Sequence, residues 1–439
     1  MEMSLGRFGD RRREKRGAFL LERLVEVGMG GVRLRPLGGD RAGEVGLGRF
    51  LRNPNVTSVE IVSTACARTA GSVRGRHLTV PQDTTNLRDD GDQRSLQLHP
   101  AIALDAEDGS LVGLVHAEFL YRAGGARSER KRVPFEEKES SRWLEATRAA
   151  SILVEGGAAS VTVVADREGD IYEEFANRPK GVDLVIRSAQ NRVLTDGTHL
   201  HTCADRLAAL GRETVALPAA PGRPARDAVL ALRARPVTIK RPRREAPGEA
   251  AKLPPEITLT LVDARETHPP DGATPAHWRL LTTHTVATLA DAKRITRYYR
   301  GRWTIEQLFR TMKTKGFDIE AVRVDDGAPF ENLAAATLIA AIQVLQLVRE
   351  RDGAAGRPLE DTFDATDQPA LEAVCATLEG KTDKQKNPHP KGTLAYAAWV
   401  CARLGGWTGY YGKPGPVVML QGMLRFQAIN RGWTLRGTG

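Results

Sequence analysis

Between residues 77 and 187 the chain leaves helical periodicity for a run of strands, and the order of those strands leaves few folds open. Residues 77–80, 101–104 and 111–120 alternate or run apolar, the last two separated by the turn cluster Asp105-Ala-Glu-Asp-Gly-Ser110. Residues 139–153 have helical spacing, Ser160–Ala165 (SVTVVA) is a short buried strand, 171–177 is helical again and 182–186 is strand-like. Strands in succession, then strand, helix, strand, predict a mixed sheet covered by helices, an α/β (α+β) fold.

The flanks read differently. Up to about residue 58 the chain is helical, with Phe19, Leu20, Leu24 and Val25 at helical spacing and basic residues on the flanks; Asn53-Pro54-Asn55 breaks the pattern before a second apolar helix from Ser58. Residues from 191 to about 283 are rich in Pro and Arg, with alternating segments at 229–232 and 257–262. They read as a β-rich insertion bearing the basic loop Lys240-Arg241-Pro242-Arg243-Arg244. After Phe330 the chain is mainly helical, with a Gly-, Asp- and Thr-rich linker over 352–368. The expected division is a helical N-terminal domain (1–58), a mixed-sheet domain (59–352) and a helical C-terminal domain (353–439).

With 439 residues the chain can bury a proper core, and 64 Lys and Arg against 54 Asp and Glu leave a formal charge of +10. That excess favours a polyanion, nucleic acid or an anionic membrane surface, although an Arg-, Ala- and Gly-rich composition also fits a GC-rich gene. The longest apolar run, 333–348, is short for a membrane span and reads as a core helix. Cys66, Cys203, Cys375 and Cys401 lie far apart, which gives neither a zinc spacing nor a disulfide framework and makes a reducing cytoplasm the default. His199-x-His201-x-Cys203 lacks a fourth ligand and reads as a plain β-segment. Gly380-Lys381-Thr382 mimics the end of a phosphate loop, but Cys375 stands at its first glycine, so no nucleotide cofactor is expected.

Residues 298–316 are the most informative for chemistry. On one continuous helix at about 100° per residue, Tyr299, Arg302, Glu306 and Lys313 share a stripe roughly 60° wide, with Ile305, Leu308, Phe309 and Met312 opposite. A carboxylate between a phenol and two cations suits a site that binds metal and phosphate together; a solvated face with charge pairs explains the same pattern. Asp83 follows a strand and Asp166 ends another. Carboxylates at strand ends, joined by one from a helix, can hold hard divalent ions, while either Asp alone is also an ordinary turn or cap.

The spacing Tyr-x2-Arg-x3-Glu-x6-Lys resembles the signature of the bacterial insertion-sequence-four transposases. The similarity runs along nearly the whole chain, through GDRRREKR, RFLRNPNV, QDTTNL at Asp83, EKESSRWL, DREGDI at Asp166, VIRS at Arg187 and HWRLL at Trp278. The resemblance implies an RNase H-like core in which Asp83, Asp166 and Glu306 form the catalytic triad holding two Mg²⁺ ions, with Mn²⁺ as a substitute. It implies nicking at terminal inverted repeats, hairpin formation and opening, and strand transfer into target DNA. Trp278 matches a residue that stacks on a flipped base, and Arg187, Tyr299, Arg302, Arg310 and Lys313 match or adjoin phosphate-gripping positions. Arg11, Arg12, Arg13, Lys15 and Arg16 resemble part of an end-binding helix. The partners implied are double-stranded DNA and a second copy of the chain, a homodimer on two DNA ends in the bacterial cytoplasm, associated with the nucleoid and not with a membrane. A DNA-binding regulator of transposition and a host-adopted nuclease are the rival readings.

Overall fold

The basic run near the N-terminus starts the first helix instead of flanking it. Helix α1 spans Arg11–Val27 and buries Leu20, Leu21, Leu24 and Val25, leaving Arg11, Arg12 and Lys15 exposed. Helices α2 (Leu34–Gly38) and α3 (Arg41–Leu51) follow, and Asp40 caps α3 by accepting the Gly43 N–H. Thr57 caps α4 (Ser58–Ala70) through the Glu60 N–H. The computed structural model describes residues 4–27, 31–89, 95–122, 133–217, 224–242, 252–313, 316–325, 327–410 and 412–437. Arg243 and Arg244 of the basic loop lie outside the described residues.

Strands β1 (His77–Pro81), β2 (Thr85–Asp89), β3 (Ser95–Asp105) and β4 (Leu111–Arg122) come next. Helices α5 (Ser141–Ala149) and α6 (Ser151–Glu155) lead to β5 (Ser160–Ala165), then α7 (Tyr172–Asn177) and β6 (Val182–Arg187). Helix α8 (Leu200–Asp205) introduces β7 (Gly211–Leu217), β8 (Arg226–Lys240), β9 (Glu256–Glu266) and β10 (His277–Thr282). The segment around His199–Cys203 is therefore a helix start and not a β-segment. Leu200, Cys203 and Ala204 are its buried residues, an i, i+3, i+4 set that marks a helical face.

All these strands belong to one ten-stranded mixed sheet. Strand β1 is parallel to β5 and β5 to β6, and the other strand pairings are antiparallel. The long strand β3 pairs with β4 along one edge and, along the other, with β2 near its start and with Leu78 and Thr79 of β1 at its end. The insertion strands extend the same sheet, since β10 pairs with β6 and carries β9, β8 and β7 beyond it.

Helices cover both faces. Leu78, Val80, Val163, Leu184 and Ile186 pack with Trp143, Leu153 and Phe175 of α5–α7. On the other face, α9 (Leu289–Gly301) sets Ile295, Tyr298 and Tyr299 against Val164, Val185 and Leu280. After α10 (Trp303–Met312) come α11 (Ala328–Glu350), α12 (Gln368–Leu378), α13 (Leu394–Leu404) and α14 (Pro416–Gly437). Helix α11 is long and apolar enough to cross a membrane, but 94% of its most apolar window is buried within the protein. It is the axis of a third core, shared by α1, α3, α4, the β3–β4 pair, α10, α13 and α14. The segment read as a linker is packed into this core: Leu359 and Phe363 are buried, Arg357 bonds Asp361, and Pro358 bridges to Thr393.

Candidate active site

Strand register alone brings the first two carboxylates together. Strands β1 and β5 are parallel neighbours with Pro81 opposite Val164, so two residues further on Asp83 and Asp166 leave the same edge of the sheet side by side. Strand β6 repeats the offset: Ala165 faces Ile186, which puts Arg187 next to Asp166. Carboxyl ends of neighbouring parallel strands are where open α/β sheets place ligands.

The third carboxylate arrives from the helices, in a way the sequence pattern did not foresee. The expected continuous helix over 298–316 is two helices, α9 and α10, joined at Arg302. The junction is tightened: Arg302 N–H donates to Tyr299 O at 3.1 Å and Ile305 N–H to Arg302 O at 3.0 Å, three-residue instead of four-residue bonds. Tyr299 and Arg302 reach the strand ends, and Glu306 joins them through Arg302. Arg302 Nη1 donates to Asp83 Oδ2 at 2.7 Å, its Nη2 donates to Glu306 Oε1 at 2.7 Å and stands 3.7 Å from Asp166 Oδ2. The Tyr299 hydroxyl donates to Asp166 Oδ1 at 3.1 Å and accepts from Arg187 Nη1 at 3.4 Å.

Burial shapes the charges here. It pushes the Asp83 carboxyl up to about 6, against the lowering pull of Arg302 and the Thr84 N–H, while Asp166 and Glu306 push the same way as burial. Burial and the neighbouring Asp166 drive the Tyr299 phenol up to about 12, so it stays a donor. Burial alone would lower Arg302, yet Tyr299, Asp166, Asp83 and Glu306 together raise it above the ordinary guanidinium range. Beside the carboxylates lies a cavity of about 650 Å³ walled by Arg187, Trp278, Tyr299, Arg302, Trp303 and Arg349. The rings of Trp278 and Tyr299 are 5.7 Å apart and tilted at 58°.

A sequence profile described as the transposase DDE domain matches residues 82–342, more than half of the chain. The chain belongs to the DDE transposase family. Its mixed sheet, with β4, β3, β1, β5 and β6 in that order, is the RNase H-like core of these nucleic-acid-cleaving and -transferring enzymes, whose domains depend on divalent metal. Three carboxylates are the hard oxygen donors such ions take, and in this transposase they already draw one cation, Arg302, among them. The donor set fits. As they stand the carboxylates are spread around the guanidinium, and among the described residues no three Asp, Glu, His or Cys side chains are grouped to hold one ion. A shared ion requires Arg302 to yield part of its grip.

Other residues singled out from the sequence lie elsewhere. The backbone leaves α10 at Lys313, whose Nζ pairs with Glu320 Oε1 at 2.8 Å and not with a site carboxylate. Arg310 is exposed, with its guanidinium 5.1 Å from the Trp303 ring centroid. Arg11, Arg12, Arg13, Lys15 and Arg16 are on α1, which packs against α2, α3, α11 and α14 and is not brought to the carboxylates; Arg13 bonds Phe8 O and Arg16 lies over Phe19.

The sequence reading missed a buried polar group behind Asp83, made of Gln82, His99, Thr147 and Glu174, all 0% exposed. Burial pushes the Glu174 carboxyl up to about 8, against hydrogen bonds from Thr147 and Gln82, and holds His99 well below its ordinary range. Glu174 gave no sequence signal: at about 100° per residue it falls roughly opposite the Tyr172 and Phe175 side of its short helix and reads as an exposed acid. His99 gave none either, because a polar residue in an alternating strand reads as an exposed one.

Proposed function

We propose that this transposase excises an insertion sequence from DNA and joins it to a target, with Asp83, Asp166 and Glu306 as the metal-holding catalytic carboxylates. The observation that carries the reading is the shared edge: Asp83 and Asp166 at matching positions past adjacent parallel strands, with Glu306 tied to both through the Arg302 guanidinium. In this reading the chain is of insertion-sequence-four type. It nicks DNA by hydrolysis at terminal inverted repeats, and the freed 3′-hydroxyl attacks the opposite strand to make a hairpin, which is opened before strand transfer.

Two Mg²⁺ ions, or Mn²⁺ in their place, supply when bound the Lewis acidity that activates water or a 3′-hydroxyl and steadies the leaving oxygen. The chain's own residues orient the DNA. Arg187 and Arg302 offer guanidinium forks to phosphate, and Tyr299, kept protonated by burial, offers its hydroxyl. Trp278, on the cavity wall beside Tyr299, gives an extruded base an aromatic face. Arg310 and Lys313 contact the backbone nearby, and Arg11, Arg12, Arg13, Lys15 and Arg16 contact the terminal repeats. The division into 1–58, 59–352 and 353–439 then follows function: end binding, chemistry, and pairing of two copies on two DNA ends in the bacterial cytoplasm, at the nucleoid.

The test is incubation with DNA carrying the cognate ends, with and without Mg²⁺, followed by denaturing electrophoresis. We expect nicks and transient hairpins that need Mg²⁺. In Glu306→Gln we expect both to fall by roughly a hundredfold or more, while DNA binding persists. Cleavage at the wild-type rate in Glu306→Gln would remove Glu306 from the chemistry.

A further inference from the structure

Asp83 lies beyond the sheet ladder that would normally fix a strand residue. Strand β1 ends at Pro81; Gln82 N–H still reaches Val164 O at 3.1 Å, but Asp83 N–H meets Pro100 O only at 3.4 Å. Firmer contacts come from the side chains on either side of it. His99, fully buried on β3, engages both: its Nε2 is 3.0 Å from Gln82 Oε1 and its Nδ1 is 2.8 Å from Thr84 Oγ1.

The chain of bonds continues inward and outward. Gln82 Nε2 donates to Glu174 Oε1 at 2.9 Å and to Thr147 Oγ1 at 3.2 Å, and the Thr147 hydroxyl donates to the same Glu174 oxygen at 2.8 Å. At the outer end Arg142 Nε donates to Thr84 Oγ1 at 2.9 Å. Donors and acceptors match in a single direction, from Arg142 to Thr84, His99, Gln82 and Glu174, provided His99 is neutral with its proton on Nε2. Thr84 closes the loop on the carboxylate, since its N–H donates to Asp83 Oδ1 at 2.8 Å.

Stability alone does not favour this arrangement. Glu174 is fully buried, and its Oε2 finds no partner among the described residues. A partly satisfied polar network in a core costs more than apolar side chains filling the same space. What it secures is the position of the two residues that flank Asp83.

We propose that His99 is a positioning residue, which staples Gln82 to Thr84 and so aims the Asp83 carboxylate, with Glu174 and Thr147 as its anchor. The inference rests on Asp83 being a metal carboxylate, as proposed above. Outer partners of metal-holding side chains typically change metal affinity by about 10- to 100-fold when lost.

The experiment titrates the full-length protein with Mn²⁺ alone, following free ion by electron paramagnetic resonance, for wild type, Asp83→Asn, His99→Phe and Thr84→Val. The phenyl ring keeps a side chain against Trp143, where the His99 ring centroid lies 4.8 Å from the indole, but removes both hydrogen bonds. We expect the Mn²⁺ dissociation constant of His99→Phe to rise by roughly tenfold or more. Thr84→Val, which cuts one arm, rises less, and neither variant changes circular dichroism or duplex-DNA affinity. A folded His99→Phe with wild-type Mn²⁺ affinity overturns the proposal, as does a variant whose unfolding temperature drops while its Mn²⁺ affinity does not. If His99→Phe fails to fold, Thr84→Val decides: a rise supports the staple and wild-type affinity overturns it. The underlying reading fails in a different place. Wild type that binds no Mn²⁺, or Asp83→Asn that binds it equally well, removes Asp83 as a metal carboxylate and the proposal with it.

Discussion

At Arg302 one guanidinium meets Asp83 and Glu306 at 2.7 Å and approaches Asp166 at 3.7 Å, so it competes with any other cation for the same oxygens. Its removal leaves three carboxylates facing one another, and their repulsion is relieved most directly by a divalent ion. We therefore expect Arg302→Ala to bind Mn²⁺ more tightly, by a factor of roughly ten or about 1.4 kcal/mol, while losing DNA affinity. Calorimetric titration of metal and DNA separately checks both directions; weaker metal binding would show that Arg302 orders the carboxylates more than it competes. Glu174 sets a second expectation. Its carboxyl holds a proton up to about pH 8 in the folded protein, against an ordinary value of 4.5. The folded state thus gains stability that is complete below pH 4.5 and is lost as pH rises through about 8. The thermal midpoint of wild type should fall across that window relative to Glu174→Gln, in which the group cannot ionise. Parallel midpoint curves for the two proteins would mean that Glu174 is ionised in the fold or titrates normally.

At the scale of elements, the sequence exposed what depends on local pattern and hid what depends on packing. Asp83 and Asp166 were legible because each follows an apolar strand, and the parallel β1–β5 register then sets them together. Glu306 was legible through its spacing from Tyr299 and Arg302, which survives the tightened junction between α9 and α10 because Arg302 at the junction keeps helical backbone angles. Lys313 lies farther along, and its place on the stripe assumed a helix that in fact ends at Met312. The end is enforced at Gly316, where the chain doubles back so closely that an added Cβ would sit 2.0 Å from Thr311 O. That carbonyl also accepts the N–H of Phe317, whose ring is buried in the helical core. We expect Gly316→Ala to cost about 1–3 kcal/mol through overpacking, read as a lower urea midpoint. A cost below about 0.5 kcal/mol would show that the reversal can relax without disturbing α10.

The whole molecule poses the question of whether the N-terminal helices are a separable module or part of one core. Helix α11 answers from its own residues. Leu20, Leu24, Leu47 and Phe50 of α1 and α3 belong to the same buried cluster as Leu333, Ile339 and Leu345 of α11 and Met419 and Phe426 of α14. Asn332 on α11 donates to Leu51 O at 3.0 Å and Val56 O at 2.8 Å, so a buried amide depends on the segment before α4. Deleting residues 1–58 would strip that amide of both acceptors, at about 1–3 kcal/mol for a buried polar group left unpaired. It would also uncover large apolar side chains worth about 1.5–3 kcal/mol each when buried. Against a typical net stability of about 5–15 kcal/mol, those losses together are enough to unfold the helical half. We therefore expect a chain beginning at residue 59 to show no cooperative calorimetric transition for the α11–α14 region, or to aggregate, even though the carboxylate-bearing sheet lies in what remains. A cooperative transition within a few degrees of the full-length protein would show instead that end binding, if that is the role of the first helices, is carried by a unit the rest can fold without.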